Sequence, residues 1–199
     1  GLDRLHPERI GLLVPIAGHA EERVNHVRQD RVAGFGHLLA DGADQDLVNL
    51  GGDVLSGNIH EELVQTNEVE VLPAMLAVAG KMAWGLRQFA DKFKRVFVVG
   101  VPGNHGRNTK KPQAKNTCFT SFDWTIYKML ESQFADDDRF TFFIPSGFDA
   151  YYKVYGHRIL LTHGDRLGTR GGDGFIGPVG PIIRGAHKLR LSYTARGRE

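Results

Sequence analysis

The chain has 199 residues, 41% of them apolar and 24% charged, with a formal net charge of +2. That composition suits one soluble domain with a proper core. No apolar run approaches a membrane span and nothing from Gly1 onward resembles a signal peptide, so no membrane partner is expected. The lone cysteine, Cys118, rules out an internal disulfide framework and favours a reducing compartment, the cytoplasm. Because the chain starts at Gly1 without a methionine, it reads as a fragment or a trimmed chain.

Val24, Val27, Phe35, Leu38 and Leu39 recur at helical spacing among charges and predict a helix over 20–40. DLVNLGGD (46–53) reads as a short buried strand that ends in a glycine turn. A long helical region follows, with Leu72, Met75, Leu76, Ala79, Met82, Ala83, Leu86, Phe89 and Phe93 on one stripe, assigned to core packing. Pro73 starts or kinks that helix. VFVVGV (96–101) is apolar throughout, as a strand covered on both faces must be. The polar loop NTKKPQAKNT then leads to a helix over 122–134. RFTFFIP, AYYKVYG and HRILLTHGD predict three more strands, the last two joined as a hairpin at Gly156 and its neighbour. Strands and helices in this order indicate one layered α/β domain over 1–199 with a mixed sheet.

Three of these apolar strands end in polar residues of related chemistry. The first ends at Asp53, the second at Asn104 and His105, the third at His163. Sites in α/β proteins form where strands end and loops diverge, so these side chains can converge from distant parts of the chain. Together the types make sense around metal. A carboxylate such as Asp53 can bridge two cations, Asn104 adds a neutral amide oxygen, and His163 adds an imidazole nitrogen. That mixed N/O set suits Mn²⁺, Fe or Zn²⁺. His105, beside the metal ligand Asn104, is left to act as an acid. No GxxxxGK[ST] motif is present, which excludes a phosphate-loop nucleotidase. After Asp165 the chain is basic: Arg166, Arg170, Arg184, Lys188, Arg190, Arg196 and Arg198 stand against Asp173 and Glu199. Either a phosphate-bearing partner or a solvated chain end accounts for that excess.

GGDVLSGN (51–58), VVGVPGNHGR (98–107) and LLTHGDR (160–166) resemble three blocks of the calcineurin-like metallophosphoesterases. GNHGRN, where GNHD or GNHE is commoner, resembles the phage-encoded branch, which would put the protein in a host cytoplasm. The resemblance covers roughly residues 45–190. It implies a β-sandwich flanked by helices, with two divalent metals at the sheet edge, Mn²⁺ first among Mn²⁺, Fe, Zn²⁺ and Mg²⁺. Asp53 matches the bridging aspartate, Asn104 and His163 match further metal ligands, and His105 matches the histidine that contacts substrate phosphate. Arg107 stands where the family has an acidic residue, and a guanidinium there is suited to bidentate contact with phosphate oxygens.

The activity so implied is hydrolysis of a phosphate ester. In the family so resembled, two divalent cations would supply the attacking hydroxide and neutralise phosphoryl charge, and His105 would assist the leaving group. The substrate class stays open between monoester, nucleotide and nucleic acid, with the basic tail favouring the last two.

The family's first and last motifs, Asp-x-His and Gly-His-x-His, have no counterpart. Asp3 to His6 has one residue too many, LLVPIAGH ends at His19 without an aspartate, and His187 lies in GAHK. The expectation is therefore a domain incomplete at both ends that holds at most one cation tightly and is poorly active or inactive. The alternative is a catalytically impaired scaffold of the same fold that binds nucleic acid or a protein.

Overall fold

An apolar run such as VFVVGV has nothing to offer water on either side, and the fold meets that demand by placing it centrally. The computed structural model describes residues 45–113, 117–167 and 179–195. Within it β1 (Gln45–Leu50), β2 (Arg95–Gly100) and β3 (Phe140–Phe143) form a three-stranded parallel sheet in that order. Gln45 pairs with Arg95 and Leu50 with Gly100, while Val96 pairs with Phe140. All of β2 except Arg95 is buried. The helix expected over 20–40 lies outside the described residues.

Each parallel connection is helical, as parallel strands require. Between β1 and β2 run α1 (Glu61–Thr66) and α2 (Val71–Ala90); between β2 and β3 runs α3 (Phe122–Gln133). Pro73 is the third residue of α2, where its missing N–H costs no intrahelical bond. Ala79, Met82, Ala83, Leu86 and Ala90 form the buried stripe of α2. They pack with Ile126, Tyr127, Leu130 and Phe134 and with one face of the sheet, Val48, Leu50, Val96 and Val98. Ile126 and Leu130 are fully buried, which stabilises the fold by roughly 1.5–3 kcal/mol each.

The stripe expected for α2 is too long at both ends. Leu72 and Leu76 share the helical face of Ala79 and Ala83 but remain 62% and 57% exposed. Periodicity identifies the face; it does not say how far along the helix that face is covered. At the other end the helix stops at Ala90, so Phe93 lies beyond it.

The other face of β2 carries Phe97 and Val99 and also needs a cover. It comes from β4 (Asp149–Val154) and β5 (His157–Thr162), an antiparallel hairpin. Ala150 and Tyr152 pack there with Phe97, Val99 and Val101, and the Tyr152 hydroxyl donates to Asn49 Oδ1 at 2.8 Å. The hairpin turns on Tyr155 and Gly156, both at positive φ (48° and 80°), as the two central residues of a type I′ turn must be.

Among the described residues the strands therefore do not form a single mixed sheet. The antiparallel pair is hydrogen-bonded into a sheet of its own, because strands added at an edge would leave Phe97 and Val99 bare. The result is an α/β arrangement with helices on one face of the parallel sheet and a hairpin on the other.

By contacts the chain divides into two compact units, Gly1–Thr162 and His163–Glu199. The second contains α4 (Val179–Ala195), whose Pro181 and Gly185 are buried. A Cβ on Gly185 would stand 2.2 Å from the Leu167 carbonyl oxygen, so only glycine fits that approach. Among the described residues no helix is long and apolar enough to cross a membrane.

Candidate active site

Because β1 and β2 are parallel neighbours in register, their C-terminal ends lie side by side. The ladder continues one step past them, with the Val101 N–H donating to the Leu50 carbonyl at 2.9 Å. From there Gly51-Gly52-Asp53 leaves one strand and Pro102-Gly103-Asn104-His105 leaves the other. The two loops pass so closely that neither central glycine has room for a methyl group. A Cβ on Gly52, whose φ is +90°, would meet Gly103 N at 2.2 Å, and one on Gly103 would meet Asp53 Oδ1 at 2.0 Å.

Asp53 is in the left-handed region, at φ 53°, a conformation that aspartate tolerates better than most residues. Its Oδ1 accepts the backbone N–H of His105 at 2.8 Å. The carboxylate of the first motif thus holds the backbone of the second. On the far side of the loop, the Gly57 N–H donates to the His105 carbonyl at 2.9 Å. Asp53 and His105 are exposed and Asn104 is half-buried.

Beneath the two loops lies a residue that sequence reasoning passed over. Asp123, in the first turn of α3, is fully buried. One of its oxygens, Oδ2, accepts the N–H of Asp53 at 3.0 Å and the N–H of Gly103 at 2.9 Å. Gly106 closes over it: a Cβ there would lie 2.7 Å from Asp123 Oδ1. Burial pushes the Asp123 carboxyl above the usual carboxylate range; the backbone N–H groups of Gly103 and Asp53 pull it back, the nearby Asp53 charge pushes it up again, and the Val54 N–H lowers it least. One helical turn on, Tyr127 is also fully buried. Burial first, and the Asp123 charge second, hold its phenol well above the ordinary value, so it is protonated at neutral pH.

A signal for Asp123 does exist in the sequence. Asp123, Ile126, Tyr127 and Leu130 follow the i, i+3, i+4, i+7 pattern of a buried helical stripe. A carboxylate on such a stripe needs buried donors, and here the loops supply them. An acidic residue in the first turn after the N-cap Ser121 reads equally well as a helix-dipole partner, which hides it.

Arg107, expected at substrate phosphate from the chemistry of its guanidinium, turns that group to the backbone of its own loop. Nε donates to the Thr109 carbonyl at 3.0 Å and Nη2 to that of Lys110 at 3.2 Å, while Nη1 donates to that of Asn104. A bridge between Arg107 and Ser121, and the Asn108 N–H bonded to the Thr120 carbonyl at 2.8 Å, tie the loop to the start of α3. The structure thus brings Asp53, Asn104, His105 and Arg107 onto two adjoining, mutually bonded loops of the first unit. His163 directly follows β5, is half-buried, and belongs to the second unit.

Among the described residues no three of His, Cys, Asp and Glu gather as a metal-holding group. The two adjoining loops carry two side chains with oxygen donors, the Asp53 carboxylate and the Asn104 amide. Both are hard ligands of the kind a divalent cation such as Mn²⁺ or Mg²⁺ takes. The exposure of Asp53 and the hydrogen bond fixing its Oδ1 fit that role. No protein-family model matches the chain, and no curated protein or solved structure matches it significantly.

Proposed function

We propose that this chain carries the phosphate-ester-hydrolysing centre of a calcineurin-like metallophosphoesterase, with a β-sandwich built from the parallel sheet and the hairpin. The observation that carries the reading is the hydrogen bond from the His105 N–H to Asp53 Oδ1, which joins the two motif loops at adjacent strand ends. The Asp53 carboxylate already has a structural use in this bond, but the exposed imidazole of His105 beside it has none in the loop.

In this reading Asp53 and Asn104 hold a divalent cation. When bound, such a cation supplies Lewis-acid neutralisation of charge on the phosphoryl oxygens. His105, exposed to an incoming substrate, protonates the leaving alkoxide, a task for which imidazole is the best-suited side chain near neutral pH. Arg107 shapes the loop with three of its five N–H groups and has two left to meet a phosphate oxygen.

The test is Mn²⁺ titration of the purified chain by calorimetry together with hydrolysis of bis(p-nitrophenyl) phosphate. At most one Mn²⁺ per chain and weak Mn²⁺-dependent hydrolysis are expected, and both are lost in Asp53→Asn. Asparagine accepts the left-handed backbone and keeps an acceptor for the His105 N–H, so that variant isolates the charge. Metal binding without turnover would favour an impaired scaffold over an enzyme. No metal binding at all would end the enzyme reading and leave the scaffold, a fold of this kind that has lost its metal ligands.

The substrate class proposed is a nucleotide or nucleic acid. Support comes from α4, where Arg184, Lys188 and Arg190 are exposed and the helix contains no acidic residue. If each of the three engages one phosphate, the log–log salt dependence of binding to an oligonucleotide has a slope of about −3. Fluorescence anisotropy across a salt series measures it, and no binding even at low salt would return this helix to a solvated surface.

A further inference from the structure

We propose that Asp123 is the positioning residue of this site, a buried carboxylate that sets where Asp53 and the Asn104–His105 loop stand relative to each other. The inference rests on the functional reading above for its consequence, though not for its geometry. Asp123 comes from α3, an element of neither motif. Its single Oδ2 accepts the Asp53 N–H at 3.0 Å and the Gly103 N–H at 2.9 Å, so one atom fixes the backbone on both sides of the cleft between the loops. The Asp53 side chain closes the ring by holding the His105 N–H at 2.8 Å. Moving Asp123 therefore moves the Asp53 carboxylate and the Asn104–His105 segment together.

Two features show how closely the loop encloses this carboxylate. Gly106 leaves the space that Asp123 fills, since a Cβ there would come within 2.7 Å of Oδ1 and 2.9 Å of Oδ2. The carbonyl of the same Gly106 accepts the Phe122 N–H at 2.6 Å, one residue before Asp123. The loop is thereby anchored to the helix that carries the carboxylate. An apolar residue in this place would leave the Gly103 and Asp53 N–H groups, the first of them buried, without this acceptor.

The test compares Asp123→Ala with Asp123→Asn and Gly106→Ala by residue-resolved amide hydrogen exchange and Mn²⁺ titration. In Asp123→Ala the Asp53 and Gly103 amides exchange at least about tenfold faster, while Val98 and Val99 in the central strand keep their protection. Mn²⁺ affinity falls about 10–100-fold, as it does when the support of a ligand is removed. Asp123→Asn, which keeps an oxygen acceptor in the same place, restores most of both. Gly106→Ala, which presses on the carboxylate from the other side, reproduces the exchange pattern even if Asp123→Ala fails to fold. Unchanged exchange at Asp53 and Gly103, or a rise shared equally with Val98, would overturn the proposal. If the unaltered chain binds no Mn²⁺, the functional reading fails, and the exchange pattern alone still decides the role of Asp123.

Discussion

His105→Ala keeps its affinity for Mn²⁺ within about twofold and loses phosphodiester turnover by about 10²–10⁴-fold, the range that removal of a general acid produces. The separation follows from which atoms of His105 do which work. Its backbone N–H holds Asp53 Oδ1 and its carbonyl takes the Gly57 N–H, and alanine preserves both. The imidazole is exposed, so its removal opens no cavity and leaves the loop's bonds intact. Only the proton donor is lost. Calorimetry and steady-state kinetics on the same preparation check this result. Equal losses of metal and turnover would mean that His105 is the ligand and Asn104 the bystander.

The legible parts of this fold were those where local chemistry leaves one solution. VFVVGV could only be a strand covered on both faces, and β2 is one. The Tyr155-Gly156 pair between two alternating runs could only be a tight hairpin. Legibility ended where a decision depended on what a surface meets. Leu72 and Leu76 have the periodicity of core residues, but coverage of a helix is set by the elements packed on it. The hairpin's choice to cover Phe97 and Val99, instead of extending the parallel sheet, depends on which of two apolar needs is met first, and composition is silent on that.

The candidate residues were legible by type alone. Strand ends rich in Gly, Asp, Asn and His announce themselves through residue type, so Asp53, Asn104 and His105 could be named before any geometry. What holds them could not. Asp123 lies on another element, 70 positions from Asp53, and its local context is that of an ordinary helix start. Arg107 shows the opposite limit. Its type suggests phosphate, but an arginine beside uncapped loop carbonyls bonds them as readily, and three carbonyls lie within its reach.

Gly103→Ala is expected to damage fold and site together. The added Cβ would lie 2.0 Å from Asp53 Oδ1 and 2.5 Å from Asp53 N, well inside any contact distance. Those atoms have little freedom to yield, since Oδ1 is bonded to the His105 N–H and the Asp53 amide to Asp123. The Gly103 N–H is itself the second donor to Asp123 Oδ2, so a shift of the loop away from Asp53 breaks that bond as well. Overpacking of this kind costs about 1–3 kcal/mol, which lowers the melting temperature by roughly 2–12 °C in a chain of this length. Mn²⁺ affinity falls by at least about 10–100-fold because the ligand carboxylate is displaced. Gly147→Ala is the control: nothing lies within 4 Å of its added Cβ, and it leaves both quantities unchanged. Thermal unfolding and metal titration on the two variants measure the difference. A Gly103→Ala protein with unaltered melting and metal affinity would show that the loops are held farther apart than this geometry has them, and that Asp53 and His105 are not joined.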